Sequence, residues 1–210
     1  MDILYQLPLP QEVCSKIFMY ACKTPHTDLS VAILKKIIGL SMYNKLIEYE
    51  EDDRNVIKIT NNTLTSAQDK RLTFDIVHLT SLPKLTYINL DDTGVTGDIA
   101  HLESLLNLTE INLSNTDVTG DIVHLKTLQN LTVIDLDYTC VSGDIGHLES
   151  LLKLIEIRLY NTDVSGNIAH LKSLSVLTNI QLFNTDVTGD KNAFHKYRKS
   201  AGLPYCRIYI

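Results

Sequence analysis

The most constraining feature of this sequence is a 23-residue period that runs through much of its length. Glycine, isoleucine and leucine columns all keep this spacing: Gly97, Gly120, Gly143, Gly166 and Gly189; Ile88, Ile111, Ile134, Ile157 and Ile180; Leu90, Leu113, Leu136, Leu159 and Leu182. A period of this length is typical of a short unit that buries its apolar face only by stacking on its neighbours. The sequence therefore predicts a solenoid of repeated coils.

The unit itself carries a family signature. Written from Leu108, it reads L-T-E-I-N-L-S-N-T-D-V-T-G-D-I-V-H-L-K-T-L-Q-N, and five such units fill residues 74–190. The recurring L-x-x-I-x-L-x-x-T-x-V resembles the L-x-x-L-x-L-x-x-N-x-L signature of the leucine-rich-repeat family. That resemblance implies an α/β fold, a right-handed solenoid with a parallel β-sheet on its concave face. The G-D-I step resembles the G-x-I-P step of plant-type repeats, which implies a second short strand in each unit.

Threonine stands where the family usually has asparagine. This column contains Thr93, Thr116, Thr139, Thr162 and Thr185. The asparagine of the family bonds backbone groups between coils, and a threonine hydroxyl has the donor and acceptor needed for part of that role. We therefore expect a buried threonine ladder.

A histidine column accompanies the repeat, at His78, His101, His124, His147 and His170. Zinc needs four ligands that converge on one point, whereas a ladder spreads identical ligands along a line. An aspartate stands three residues before each of the first four histidines, and Asn167 precedes the last. The pattern favours hydrogen bonds between these neighbours over a metal site or a pH response.

Charges alternate along another column, formed by Glu103, Lys126, Glu149 and Lys172. Strands of a sheet lie about 4.8 Å apart, so these residues are predicted to be neighbours on successive coils. Exposed pairs of this kind stabilise a fold only weakly.

Non-repeating segments flank the repeats, and a solenoid needs caps to cover the apolar core at its two ends. Residues 1–55 are predicted to form a helical N-terminal cap, with helices near residues 10–21 and 31–38. Residues 7–20 also resemble the first helix of an F-box, which implies docking to a ubiquitin-ligase core. Residues 56–73 are interpreted as a degenerate first repeat, with Ile57 in the place of Ile88 and an insertion near residues 66–72.

The C-terminal segment, residues 191–210, is predicted to be a cap made of a short helix over residues 192–198 and a strand over residues 206–210. Gly202 is expected to stop the helix. Four basic residues are interpreted as its solvated face: Lys191, Lys196, Arg198 and Lys199.

Composition narrows the class of function. A formal net charge of −6 argues against general affinity for nucleic acid or anionic membranes, which need clustered basic residues. No secretory signal or membrane-spanning run is recognisable, so a cytoplasmic or nuclear location is expected. The four cysteines have no disulfide or metal-ligand spacing and are interpreted as buried free thiols. No catalytic motif is present, and we expect no enzyme activity, metal or cofactor.

The candidate binding surface lies between the inward-pointing columns, because side chains alternate along a strand. At these outward positions the residues differ from one repeat to the next. This is expected of a rigid frame that carries a variable surface. Aromatic and arginine residues often carry interface energy, and acids attract a basic partner. The partner-binding residues are predicted to be Tyr87, Asp91, Glu110, Asp135, Asp137, Tyr138, Arg158, Tyr160 and Phe183.

These observations favour a non-enzymatic protein-interaction module whose concave face binds another protein with a basic or mixed surface. The alternative is an F-box-like adaptor that presents a substrate to a ubiquitin ligase. A less favoured possibility is an ice- or crystal-binding surface, formed by a second hydroxyl row at Thr96, Thr119, Ser142, Ser165 and Thr188.

Overall fold

Two β-sheets form the body of the molecule, and within each sheet the strands of successive repeats lie side by side. The computed structural model describes residues 36, 47–49, 56–60 and 72–210. The first sheet contains eight strands, in spatial order β1 (Ile47–Tyr49), β2 (Val56–Thr60), β3 (Tyr87–Asn89), β5 (Glu110–Asn112), β7 (Val133–Asp135), β9 (Glu156–Arg158), β11 (Asn179–Gln181) and β13 (Arg207–Tyr209). The second contains β4 (Thr96–Asp98), β6 (Asp117–Asp121), β8 (Cys140–Asp144), β10 (Asp163–Asn167) and β12 (Asp186–Thr188). The repeats thus contain the second strand that the G-D-I step predicted.

Each repeat contributes one coil to the core. The strands β3 to β11 of the first sheet are parallel and pair equivalent residues, such as Ile88 with Ile111. The isoleucine column is fully buried, and the leucine column is at most 1% exposed. Apolar burial at about 25 cal/mol per Å² is the main force that holds successive coils together.

The threonine ladder is buried, apart from the half-buried Thr185, and its hydroxyls donate hydrogen bonds to backbone carbonyls. In all five coils the hydroxyl donates to the carbonyl of the leucine three residues earlier, at 2.6–2.7 Å. The expected bonds between coils are replaced by bonds within one coil, because the chain turns back on itself directly after each strand. Threonine therefore stabilises the turn rather than the stacking.

The G-D-I step closes the other side of each coil. The aspartate begins a short 3₁₀ helix and accepts a bond at 2.7–2.8 Å from the backbone N–H two residues later, with Asn167 doing the same in the last repeat. The glycine before it has a φ of 106° to 138°, a region that disfavours side chains. A Cβ at Gly120 would lie 2.1 Å from Oδ1 of Asp98 in the preceding coil. Glycine is therefore required by both conformation and space.

The predicted histidine–aspartate and glutamate–lysine pairs are not the ones that form. The aspartates are engaged as helix caps, and the glutamates bond histidines of the following coil. Nδ1 of His124 lies 3.0 Å from Oε2 of Glu103, and the His170–Glu149 distance is 3.5 Å. Both pairs join a histidine to the glutamate 21 residues earlier, and not to the aspartate three residues earlier.

The N-terminal segment differs in part from its interpretation as a helical cap. Lys36 is helical, but Ile47–Tyr49 forms β1, which pairs antiparallel with β2. Strand β2 is parallel to β3, and Ile59, not Ile57, pairs with Ile88. A shift of two residues keeps the same face inward, so an apolar pattern cannot distinguish the two registers. The predicted helices near residues 10–21 and 31–38, the F-box-like residues 7–20 and the insertion near 66–72 lie outside the described residues, except for Lys36 and Leu72.

The C-terminal cap has the predicted elements. A helix spans Lys191–Ser200, Asp190 caps its N-terminus, and Gly202 follows it with a φ of 68°. Strand β13 then joins the first sheet beside β11. The interpretation of Arg198 as a solvated residue is wrong, because its side chain is only 1% exposed and donates to backbone carbonyls.

Cysteine placement is also mixed. Cys206 is buried as expected, whereas Cys140 is exposed, and Cys14 and Cys22 lie outside the described residues. Among the helices that the structure describes, none has the length and apolar character required to cross a bilayer.

Candidate functional site

Three aromatic rings form a continuous strip next to the first sheet. Tyr138, Tyr160 and Phe183 each follow the end of a strand, β7, β9 and β11 respectively. The Tyr138 and Tyr160 rings meet edge to face at 4.8 Å, and the Tyr160 and Phe183 rings stack at 5.8 Å. Tyr138 is 53% exposed and Phe183 is 58% exposed. We call these three residues the aromatic strip.

Tyr138 has an unusual backbone conformation. Its φ is +56°, in the left-handed region, where the equivalent positions of the other repeats contain Asp92, Asn115, Asn161 and Asn184. Aspartate and asparagine tolerate this region, whereas a bulky residue there is a strained outlier. Position 138 therefore contains a residue that the frame does not favour.

A groove of about 440 Å³ adjoins the strip. We call it the acidic groove, and it is lined by Asp91, Asp92, Ser114, Asn115, Asp135, Asp137, Tyr138 and Arg158. Among the residues that the structure describes, four carboxylates and one guanidinium line this groove. Tyr138 belongs to both the groove and the strip and connects them.

The single guanidinium is already engaged. Arg158 Nε donates to Oε1 of Glu156 at 2.5 Å, and Nη1 lies 3.4 Å from Oδ2 of Asp135. Asp135 is only 8% exposed, although its position in the sheet predicted an outward side chain. Asp137 accepts a bond at 2.6 Å from the backbone N–H of Tyr160 and so connects the groove to the strip.

Burial changes the titration of the two central acids. It raises the pKa of Asp135 above the ordinary value, against the opposing effects of the Asp137 N–H and of Arg158. Burial also raises the pKa of Asp137 to about 6. The groove therefore holds poorly solvated carboxylates, for which a cation entering from outside would compensate.

The predicted site residues fall into two groups. All but Tyr87 and Glu110 line the acidic groove or form the aromatic strip. Tyr87 lies two coils from β7, with Lys58 Nζ 6.0 Å from its ring centroid, and Glu110 is half-buried on β5. These two residues are separate from the groove.

Sequence reasoning missed several groove residues. Asp92 and Asn115 belong to the left-handed column, and Ser114 precedes it. Glu156, which holds Arg158, was also missed. The column itself carried a usable signal, because a tyrosine interrupts a series of asparagine and aspartate.

Comparison with known proteins rests on structure alone. No family model and no curated protein matches the chain. Among solved structures, the leucine-rich-repeat ectodomain of the receptor kinase SOBIR1 from Arabidopsis thaliana superposes with a TM-score of 0.61 at 17% identity, over 78% of this chain and 95% of that one. The chain is a leucine-rich-repeat solenoid.

Two further structures are similar to this leucine-rich-repeat solenoid. A plant ice-binding protein matches with a TM-score of 0.58 at 24% identity, over 69% of this chain and 47% of that one. The plant peptide hormone receptor RGFR1, in complex with RGF2, matches with a TM-score of 0.52 at 26% identity. That match covers 56% of this chain and 20% of the receptor.

The residues of the second hydroxyl row are not paired with one another in the second sheet. In the second sheet of this leucine-rich-repeat solenoid, Thr119 pairs with Asp98, two residues away from Thr96. In the same way, Ser142 pairs with Asp121, which is two residues away from Thr119. Two residues span about 6.7 Å along a strand, so equivalent hydroxyl residues lie about 8 Å apart and alternate with acids. The row is not the flat series at about 5 Å that a crystal-binding surface would present.

Proposed function

We propose that this leucine-rich-repeat solenoid binds another protein through the aromatic strip and the acidic groove beside its concave sheet. The single observation that carries the proposal is the exposed, mutually packed strip on an otherwise regular frame. Tyrosine and other aromatic residues supply much of the energy at protein interfaces when a partner covers them. The RGFR1–RGF2 complex supports the general capacity of this fold to bind a polypeptide.

The groove favours a basic partner. Its two central acids, Asp135 and Asp137, are poorly solvated, and the nearby Arg158 is shared with Glu156. A partner surface rich in lysine and arginine would be attracted at long range and would neutralise the poorly solvated acids on contact. An acidic partner would be repelled.

The experiment is affinity capture with the intact chain and with a variant that combines Tyr160→Ala and Phe183→Ala. Proteins retained by the intact chain should be depleted at least about tenfold with the variant, because two interface aromatics each contribute about 1 kcal/mol or more. The matched control replaces Tyr205 and Tyr209 by alanine, since these tyrosines are 70% and 52% exposed but lie at the C-terminal end. Equal capture by the intact chain and the strip variant would contradict the proposal.

A further inference from the structure

We propose that Tyr138 is the recognition residue of this surface and receives an arginine side chain of the partner, with the guanidinium over its ring. The inference rests on the proposed function and specifies the chemical group that is bound. It depends on three observations: the strain at Tyr138, the interruption of a side-chain ladder, and the composition of the groove.

The frame does not require a tyrosine at this position, although the ring packs against Tyr160. All five repeats need the left-handed conformation after the strand, and four of them meet the need with aspartate or asparagine. Only position 138 contains a residue for which this conformation is costly. Outliers of this kind cluster at binding sites, where function outweighs the loss of stability.

The same position interrupts a ladder of hydrogen bonds between coils. Nδ2 of Asn115 donates to Oδ1 of Asp92 at 2.8 Å on one side, and Nδ2 of Asn184 donates to Oδ1 of Asn161 at 2.5 Å on the other. An asparagine at position 138 would allow the ladder to continue through all five coils. The tyrosine thus removes two possible bonds and accepts strain, and it adds an exposed ring.

The groove determines which group fits beside that ring. The Tyr138 ring stands at the edge of a cavity that also presents Asp91, Asp92, Asp135 and Asp137. A guanidinium stacks on an aromatic face and donates in pairs to carboxylates at the same time. The compact ammonium of lysine makes a weaker match, because it lacks the planar fork.

The first test compares stability. Tyr138→Asn should melt at a higher temperature than the natural chain, because it relieves strain and completes the ladder. Asn115→Tyr is the matched control: it places a tyrosine in the same left-handed conformation one coil away, and it should melt at a lower temperature. A lower melting temperature for Tyr138→Asn would overturn the argument from strain.

The second test measures binding by NMR titration with acetyl-Gly-Arg-Gly-amide. The uncharged isostere with citrulline in place of arginine serves as the control peptide. The arginine peptide should shift the amide signals of Tyr138 and Asp137 saturably, and Tyr138→Asn should weaken binding about threefold or more. Tyr138→Phe, which keeps the ring, should bind within about twofold of the natural chain. Equal shifts with the citrulline peptide, or unchanged affinity in Tyr138→Asn, would overturn the proposal.

Partner capture separates this inference from the proposed function. If the variant with Tyr160→Ala and Phe183→Ala loses the partner but Tyr138→Asn retains it, the arginine site is wrong and the protein-binding function stands. If neither variant loses the partner, the proposed function fails as well.

Discussion

We expect replacement of Arg198 to destabilise the C-terminal end of the solenoid, because this side chain donates hydrogen bonds to backbone carbonyls there. This side chain is 1% exposed, and its guanidinium bonds the carbonyls of Leu174 and Leu177, each at 2.7 Å, and of Pro204 at 3.0 Å. It therefore supplies donors to carbonyls of the last repeat that face the cap rather than another coil. Arg198→Met keeps most of the apolar volume and removes every donor.

The expected loss follows from the two fully buried bonds, to Leu174 and Leu177. A hydrogen bond to a charged group contributes about 1.5–3 kcal/mol, and a buried carbonyl left unpaired costs a comparable amount. Removal of the buried arginine charge offsets part of this cost. The free energy of unfolding should fall by about 3 kcal/mol. Arg198→Lys should lose about half of that, since one ammonium cannot reach carbonyls in several directions.

Urea denaturation followed by circular dichroism measures this change, and Lys199→Met is the control. Lys199 is an exposed neighbour on the same helix, so its replacement should change stability by less than about 0.5 kcal/mol. Hydrogen exchange adds the location of the effect. Because each coil contacts only its neighbours, protection should be lost first around residues 172–182. A loss below about 1 kcal/mol, or equal loss of protection in all coils, would refute the reasoning.

Two further predictions concern the frame and the groove. Gly120→Ala should cost about 1–3 kcal/mol in thermal denaturation, because its φ is +110° and its Cβ would meet Asp98. Gly202→Ala, with a φ of +68° and no atom within 4 Å, should cost less, and equal losses would contradict the steric argument. Asp137 has a pKa raised to about 6, so its favourable contribution to stability is complete below its ordinary pKa of 3.8 and is lost as pH rises through 6. Asp137→Asn should flatten the decrease in melting temperature between pH 4 and 7, and an unchanged profile would show that other groups dominate.

The sequence predicted the parts of the fold that repeat. Inward columns and two strands in each coil follow from a period that places apolar residues at fixed positions, whereas the C-terminal helix and strand follow from the local pattern of residues 191–210. The register of β2 could not be predicted, because Ile57 and Ile59 are two residues apart in the sequence and either one satisfies the apolar pattern. The partners of His124 and His170 lie on the preceding coil, and a single repeat does not show which of its neighbours' side chains come within reach.

The sequence predicted most residues of the candidate site, but it did not predict that they form a groove and an aromatic strip. The alternation of side chains along a strand identified the acidic and aromatic residues. The 23-residue repeat placed Tyr160 and Phe183 at the same position of neighbouring coils. The shape of the groove depends on the directions of the side chains that follow the strands, such as those of Asp137 and Tyr138. The alternation of side chains along a strand does not predict these directions. Arg198 was misinterpreted for a related reason, because a basic residue on a short helix usually faces solvent, and only the position of nearby carbonyls shows otherwise.

The frame explains why such a surface can change freely. The interactions that fix each coil are directed at the backbone: threonine to a carbonyl, aspartate to an N–H, and glycine to leave space. They leave the exposed rings of Tyr138 and Phe183 free to vary, whereas the side chains of Asn112, Asp135 and Asp137 also accept bonds from backbone N–H groups and belong to the frame. Position 138 is different, because its conformation is set by the frame while its ring faces solvent. The left-handed conformation is unfavourable for tyrosine, so we expect Tyr138 to lower stability. For Tyr138→Asn we therefore expect higher stability together with weaker binding. This combination separates loss of function from loss of fold more directly than removal of another ring of the strip.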